Sequence, residues 1–181
     1  MIITADLLRK MTTANRHEKN LVACAPYLDL YMPRAGLDAV NRAACFFGQL
    51  LHECGEFRYM EELASGQAYE TRRDLGNIAA GDGKRFKGRG LFQLTGRANY
   101  AEFARYADNP EIMIHPELVA RPDLGTLAAV HFWMQRPALN RWADAFDVRA
   151  VTHIVNGGEN GLAERIAFTN VALDVLAEAL D

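Results

Sequence analysis

Asp38-Ala-Val-Asn-Arg-Ala-Ala-Cys-Phe-Phe-Gly-Gln-Leu-Leu-His-Glu53 is the stretch on which the fold turns. Val40, Ala43, Ala44, Phe47, Leu50 and Leu51 recur in it at spacings of three and four, the period of a helix with one apolar face. Gly55 stands where a left-handed residue ends such a helix. An apolar helix of this kind needs other helices to bury it, and the flanking sequence supplies them.

Upstream, residues 4–14 read as a short helix with Thr4 as its N-cap, and residues 16–34 as a second helix running into Pro26. A loop follows at Pro33 and Gly36. Downstream, residues 64–90 are rich in glycine, lysine and arginine and lack sustained periodicity. They read as a long irregular region with one short helix at 67–74, and such regions are usually functional. Helices follow at 96–107, 123–136 (stopped by Pro137), 147–155 and 160–180, with breaks at Asn109-Pro110 and Gly157-Gly158. A short strand pair near 85–94 is the only β signal. The fold class expected is mainly α, in a single domain spanning residues 1–181.

With 181 residues, half of them hydrophobic, the chain can bury one core. A net charge of -3 argues against a nucleic-acid partner. Cys24, Cys45 and Cys54 fit no metal or redox spacing and read as reduced thiols, Cys45 in the core. The opening Met1-Ile-Ile-Thr-Ala-Asp reads without a signal peptide, and no apolar run reaches membrane-spanning length, so no stable membrane insertion is expected.

Glu53 ends the 38–53 helix, where the negative end of the helix dipole and the apolar Phe46, Phe47, Leu50 and Phe57 would both raise a carboxyl pKa. That is the requirement for a general acid, although position alone fits a solvated glutamate at a frayed helix end better. Glu62 lies nine residues on, beyond a turn that Gly55 permits, with Glu61 as its rival. Two carboxylates facing each other across a cleft are what glycoside hydrolysis needs. Gly88-Arg-Gly-Leu-Phe-Gln-Leu-Thr-Gly-Arg-Ala-Asn-Tyr100 interleaves Gln93, Thr95 and Asn99 with apolar residues. These polar groups suit sugar hydroxyls and amides, or else form a turn in which Thr95 caps the next helix. Asn156, in Ile154-Val-Asn-Gly-Gly158, suits an N-acetyl group or an ordinary turn. Lys84, Arg85, Lys87 and Arg89 read either as a basic cleft wall or as a loop whose arginines pack against Asp82 or Glu70. No His/Cys cluster has metal spacing, so neither a metal nor a cofactor is expected.

Together, Phe46-Phe-Gly-Gln-Leu-Leu-His-Glu-Cys-Gly55, Gly81-Asp-Gly83, Lys87 to Tyr100 and Ile154 to Gly158 resemble glycoside hydrolase family 19, in that family's order. The resemblance covers roughly residues 38–176 and is similar to bacteriophage and prophage variants. It implies a bilobed, lysozyme-like helical fold with a central cleft and an inverting mechanism. It further implies Glu53 as acid, Glu62 as base and Thr95 as the hydroxyl that helps hold the attacking water. Gln93, Asn99 and Asn156 become substrate-binding positions, and Arg165 an arginine near the acid. Three features depart from the family pattern: Glu56 stands where a second glycine is common, the segment from Glu62 to Tyr69 is short, and Asn160 stands where plant chitinases commonly carry an acidic residue. The function expected is an endolysin acting as a monomer on peptidoglycan glycan strands. It would be made in the bacterial cytoplasm and reach the wall in the periplasm through holin lesions or signal-independent export. Chitin hydrolysis, a non-catalytic glycan-binding relative and an exported effector are the competing readings.

Overall fold

The computed structural model describes residues 1–180. Ten α-helices are present among them: α1 Ala5–Met11, α2 Glu18–Tyr31, α3 Val40–Glu53, α4 Asp82–Arg85, α5 Arg97–Tyr106, α6 Glu111–Ile114, α7 Pro122–Met134, α8 Ala138–Asp144, α9 Val148–Asn156 and α10 Leu162–Glu178. Thr4 caps α1 as expected, its hydroxyl accepting from the Leu7 N–H at 3.1 Å. α2 carries Pro26 inside it and ends at Tyr31, within the expected 16–34. The expected helix at 67–74 is instead two 3₁₀ turns, Gln67–Tyr69 and Arg73–Leu75. No strand forms near 85–94; isolated antiparallel bridges join Arg89 to Glu61 and to Leu94. The short α4, α6 and α8 fall where the sequence showed no period, because helices of four to seven residues are held by packing rather than by propensity.

α3 is not an amphipathic surface helix. Every residue from Ala43 to Leu51 is buried, including Phe46, Gly48 and Gln49 off the expected face. It is the central helix of the larger core, and α10 lies along it. Gly48 makes this approach feasible: a methyl group there would overlap Thr169 Oγ1 and come within 2.9 Å of the Arg165 carbonyl oxygen. Phe46 meets Trp133 of α7 and Phe92 edge-on, each at 5.4 Å between ring centroids. A second, smaller core gathers Phe86, Tyr100, Phe103, Ile112, Val119 and Leu127 around α5 and α6. α7 contributes Leu127 and Ala128 to this core and Ala129, Val130 and Trp133 to the other, so it joins the two lobes.

The irregular 64–90 region is pinned to the smaller lobe by Asp82 and Asn77. Buried Asp82 accepts from the N–H groups of Ile78 (3.0 Å) and Ala79 (2.9 Å) and from Arg97 Nε (2.8 Å). Asn77 Nδ2 donates to the Tyr69 carbonyl at 2.8 Å, and its Oδ1 accepts from Arg97 N at 2.8 Å. The Arg97 hydrogen bond, together with the backbone donors and against the effect of burial, lowers the Asp82 carboxyl to about 2. A depressed folded pKa stabilises above the unfolded value near 4 and is lost as pH falls through about 2. Asp82→Asn should therefore be less stable than the parent by about 2 kcal/mol at pH 7. That gap should close between about pH 4 and pH 2 in denaturant melts, and a gap independent of pH would remove Asp82 from this role.

All three cysteines are buried free thiols, and burial pushes Cys24 up to about 11 and Cys45 and Cys54 to about 12. Among the described residues no helix is long and apolar enough to cross a membrane.

Candidate active site

Glu53 closes α3. Gly55, at φ 55°, turns the chain away from the helix. The Gly55 N–H reaches the His52 carbonyl at 3.2 Å and the Glu56 N–H reaches Leu51 at 2.8 Å, the double bond of a Schellman stop. Glu56 and Phe57 follow at φ 56° and 67°, unusual for side-chain-bearing residues. Glu56 is held there because its buried carboxylate accepts from the Thr13 hydroxyl at 2.7 Å and from the Thr13 N–H. The glutamate that replaces a second glycine thus ties the turn to the α1–α2 connection.

The surroundings of Glu53 differ from the purely apolar pocket expected. Arg165 of α10, 1 % exposed, donates Nη2 to Glu53 Oε1. Its Nη1 donates to Gln49 Oε1 at 2.7 Å and its Nε to the Asn160 carbonyl at 3.0 Å. Gln49 Nε2 continues to Thr152 Oγ1 of α9 at 3.0 Å. One guanidinium therefore ties Glu53 and Gln49 of α3 to α10 and to the Asn160 carbonyl ahead of it, leaving Glu53 Oε2 without a hydrogen-bond partner among the described residues.

Glu62 lines the same cleft as Glu53. Its N–H donates to the Gly88 carbonyl at 2.9 Å, and its Oε2 accepts from the Gly88 N–H at 3.1 Å. Tyr69 donates to Oε1 at 3.1 Å; burial first, then Glu62, pushes this phenol upward and keeps it a donor. Glu61 points elsewhere, into Arg89 (3.0 Å) and Lys87 (3.3 Å). Glu53, Glu62, Tyr59, Leu63 and Gln93 line one open cleft of about 290 Å³, and Glu61 does not.

Gln93 sits at φ 50°, its Nε2 donating to the carbonyls of Tyr59 (3.2 Å) and Gly90 (2.9 Å). Thr95 is not a helix cap: Gly96 takes that position, and the Thr95 hydroxyl donates to the Gln93 carbonyl at 2.8 Å. Asn99 Nδ2 in turn donates to the Thr95 carbonyl at 2.7 Å. Thr95 and Asn99 line a second cavity, of about 380 Å³, which Gln93 shares with the first. Asn156, exposed at the end of α9, lines neither. The basic run serves the lobe itself. Arg89 is buried against Glu61 and the Tyr100 hydroxyl, Lys87 reaches the Glu62 carbonyl at 2.9 Å, and Arg85 reaches the Met113 carbonyl at 2.8 Å. Arg97, rather than a member of that run, takes Asp82, while Glu70 binds the Gly81 and Gly83 N–H groups.

Gln49, Tyr69 and Gly88 escaped the sequence reading. Gln49 and Gly88 lie inside the motifs that carry the family resemblance but were given no role there, and Tyr69 had no signal. A methyl group at Gly88 would stand 2.9 Å from Gln93 Oε1 and 3.3 Å from Glu62 Oε2. Gly88→Ala should displace one of them by a few tenths of an ångström and lower kcat by roughly tenfold, with a stability change under about 1 kcal/mol. Unchanged kcat would mean that neither side chain's position matters.

Two packed helical lobes and an open cleft lined by two glutamates place the chain among lysozyme-like helical folds. No family model matches the chain. It is 38 % identical over 105 residues to a glycosyl hydrolase family 19 domain-containing protein of Haemophilus influenzae, covering 58 % of this chain and 49 % of that one. It is 31 % identical over a 189-residue alignment to acidic endochitinase Q of Nicotiana tabacum, covering 87 % and 71 %. The crystal structure of a bacterial family 19 chitinase superimposes with a TM-score of 0.74 at 15 % identity, over 97 % of this chain and 95 % of that one. The chain belongs to glycoside hydrolase family 19. It spans about half the length of the first curated relatives it matches.

Proposed function

We propose that this chain hydrolyses β-1,4 bonds of bacterial peptidoglycan glycan strands by inversion, with Glu53 as general acid and Glu62 as general base. The observation that carries the reading is that the two glutamates line one cleft while held in opposite ways. Arg165 takes one oxygen of Glu53, and the carboxylate, ionised and paired in the free protein, takes up on Oε2 with substrate bound the proton that goes to the departing glycosidic oxygen. Tyr69 and Gly88 orient both oxygens of Glu62, so that a remaining lone pair can take a proton from water as that water attacks the anomeric carbon. Solvent then returns the proton from Glu62 to Glu53. Inversion requires a gap of about 6.5–9.5 Å between the carboxyls to admit that water. Thr95 acts one step removed, by holding the Gln93 backbone.

The phage-like motif variant and the short Glu62–Tyr69 segment support a wall glycan, and with it a lysin delivered through holin lesions or signal-independent export. The endochitinase names of several relatives favour chitin as the second reading. Mass spectrometry of borohydride-reduced products from purified peptidoglycan decides between them. Reduced muramic or glucosamine ends support the wall reading. Cleavage of chitin oligomers alone would replace it with a chitinase, anhydro-muramic ends would overturn hydrolysis, and silence on both glycans would leave a binding protein.

A further inference from the structure

The second cavity holds a cation for which the two-carboxylate chemistry has no use. Arg136, just beyond the end of α7, folds back over the Phe132 ring with its guanidinium carbon 3.6 Å from the centroid, and Nη1 donates to the Phe132 carbonyl at 2.9 Å. Its other donors have no carboxylate within ion-pairing distance among the described residues, although Glu102 lines the same cavity. Burial pushes this guanidinium below its ordinary range, and Glu102 opposes the shift only in part. Its remaining donors line the cavity without being buried, so an anion entering there can accept from them.

The remaining lining fits a sugar chain: Gln93, Thr95, Asn99 and Gln135 offer neutral hydrogen-bonding groups, and Phe92 and Phe132 offer apolar surface. Because Gln93 belongs to both cavities, a glycan cut between Glu53 and Glu62 would extend toward Arg136. Chitin carries no charge to place there. The wall glycan carries one on alternate sugars, as a lactyl carboxylate or as a carboxylate of the stem peptide attached to it.

We infer that Arg136 is a specificity-determining residue that binds a carboxylate carried by the glycan in the cavity bounded by Gln93, Asn99 and Phe132. The inference rests on the wall-glycan reading above and adds to it the group that distinguishes this substrate from chitin.

The test measures binding by calorimetry in the cleavage-deficient Glu53→Gln protein. The probes are peptide-free muramic-acid-containing oligomers, the same oligomers carboxyl-amidated, peptide-bearing oligomers, and chitin oligomers of equal length. Expected is about tenfold tighter binding of carboxylate-bearing glycan than of its amidated form. Adding Arg136→Gln should abolish that preference, and Arg136→Lys should retain part of it. Preference for peptide-free oligomers identifies the lactyl carboxylate, and preference confined to peptide-bearing ones identifies the stem peptide. An equal loss for charged and neutral glycans would reduce Arg136 to a prop for Phe132 and overturn the inference. So would an undiminished preference in Arg136→Gln. Failure of the substrate reading looks different: wild-type protein would neither cleave nor bind any wall glycan, whatever residue stands at position 136.

Discussion

Glu53→Gln should lower glycan cleavage by roughly 10²–10⁴-fold while the protein remains folded, because that is what general acid catalysis is worth and a carboxamide is too weak an acid to supply the proton. The amide oxygen still accepts from Arg165, so the geometry at the end of α3 survives. The charge does not. Arg165 is 1 % exposed and Glu53 is its carboxylate partner, so the neutral variant leaves a buried guanidinium without a counter-charge. A loss of about 1–2 kcal/mol follows, which lowers Tm by roughly 3–6 °C in a chain of this size. That loss follows from the Arg165 contact. Product formation from peptidoglycan and a thermal melt check the two halves separately. Retained cleavage would end the assignment of Glu53 as the acid, and an unchanged Tm would show that Arg165 is stabilised by Gln49 and Asn160 alone.

Arg165→Ala should be the more damaging substitution. It removes the donor that satisfies Glu53 Oε1, Gln49 Oε1 and the Asn160 carbonyl, and it opens a void between α3 and α10. Removing one partner of a buried pair costs about 3–5 kcal/mol, so Tm should fall by roughly 8–15 °C. Arg165→Lys separates charge from geometry: an ammonium keeps the charge but cannot present the same planar fork to three acceptors. It should recover part of the stability and little of the activity, since Glu53 Oε1 would no longer be fixed. Chemical denaturation with parallel kcat measurements tests this. Full activity in Arg165→Lys would show that only the charge beside Glu53 matters.

The sequence was most informative where chemistry is local. The α3 pattern, the Gly55 stop, the Thr4 cap and the last two helices follow from period and capping, which act over a few residues. The motif order pointed to the family, and Glu53, Glu62, Gln93 and Arg165 are all at or beside the cleft. What it could not supply are relations between distant segments. Glu61 and Glu62 are adjacent and chemically alike; Arg89 takes one and Tyr69 with Gly88 hold the other, over separations of 7 to 28 residues. The basic run read either as a cleft wall or as a loop packed on itself; Arg85, Lys87 and Arg89 are engaged by carboxylates and carbonyls of the chain.

By itself, then, the sequence determined a mainly helical chain, the family to which it belongs, and a pair of glutamates separated by a glycine turn. Each rests on short-range backbone preferences or on residue types in a fixed order. Only the tertiary structure decided which neighbouring glutamate faces the cleft, that α3 is buried on all sides, and that Arg165 reaches Glu53 across 112 positions of chain. Ion pairs and close helix contacts of this kind depend on packing, as in the approach of α10 over Gly48, and packing is set by shape and burial in three dimensions rather than by any period along the chain.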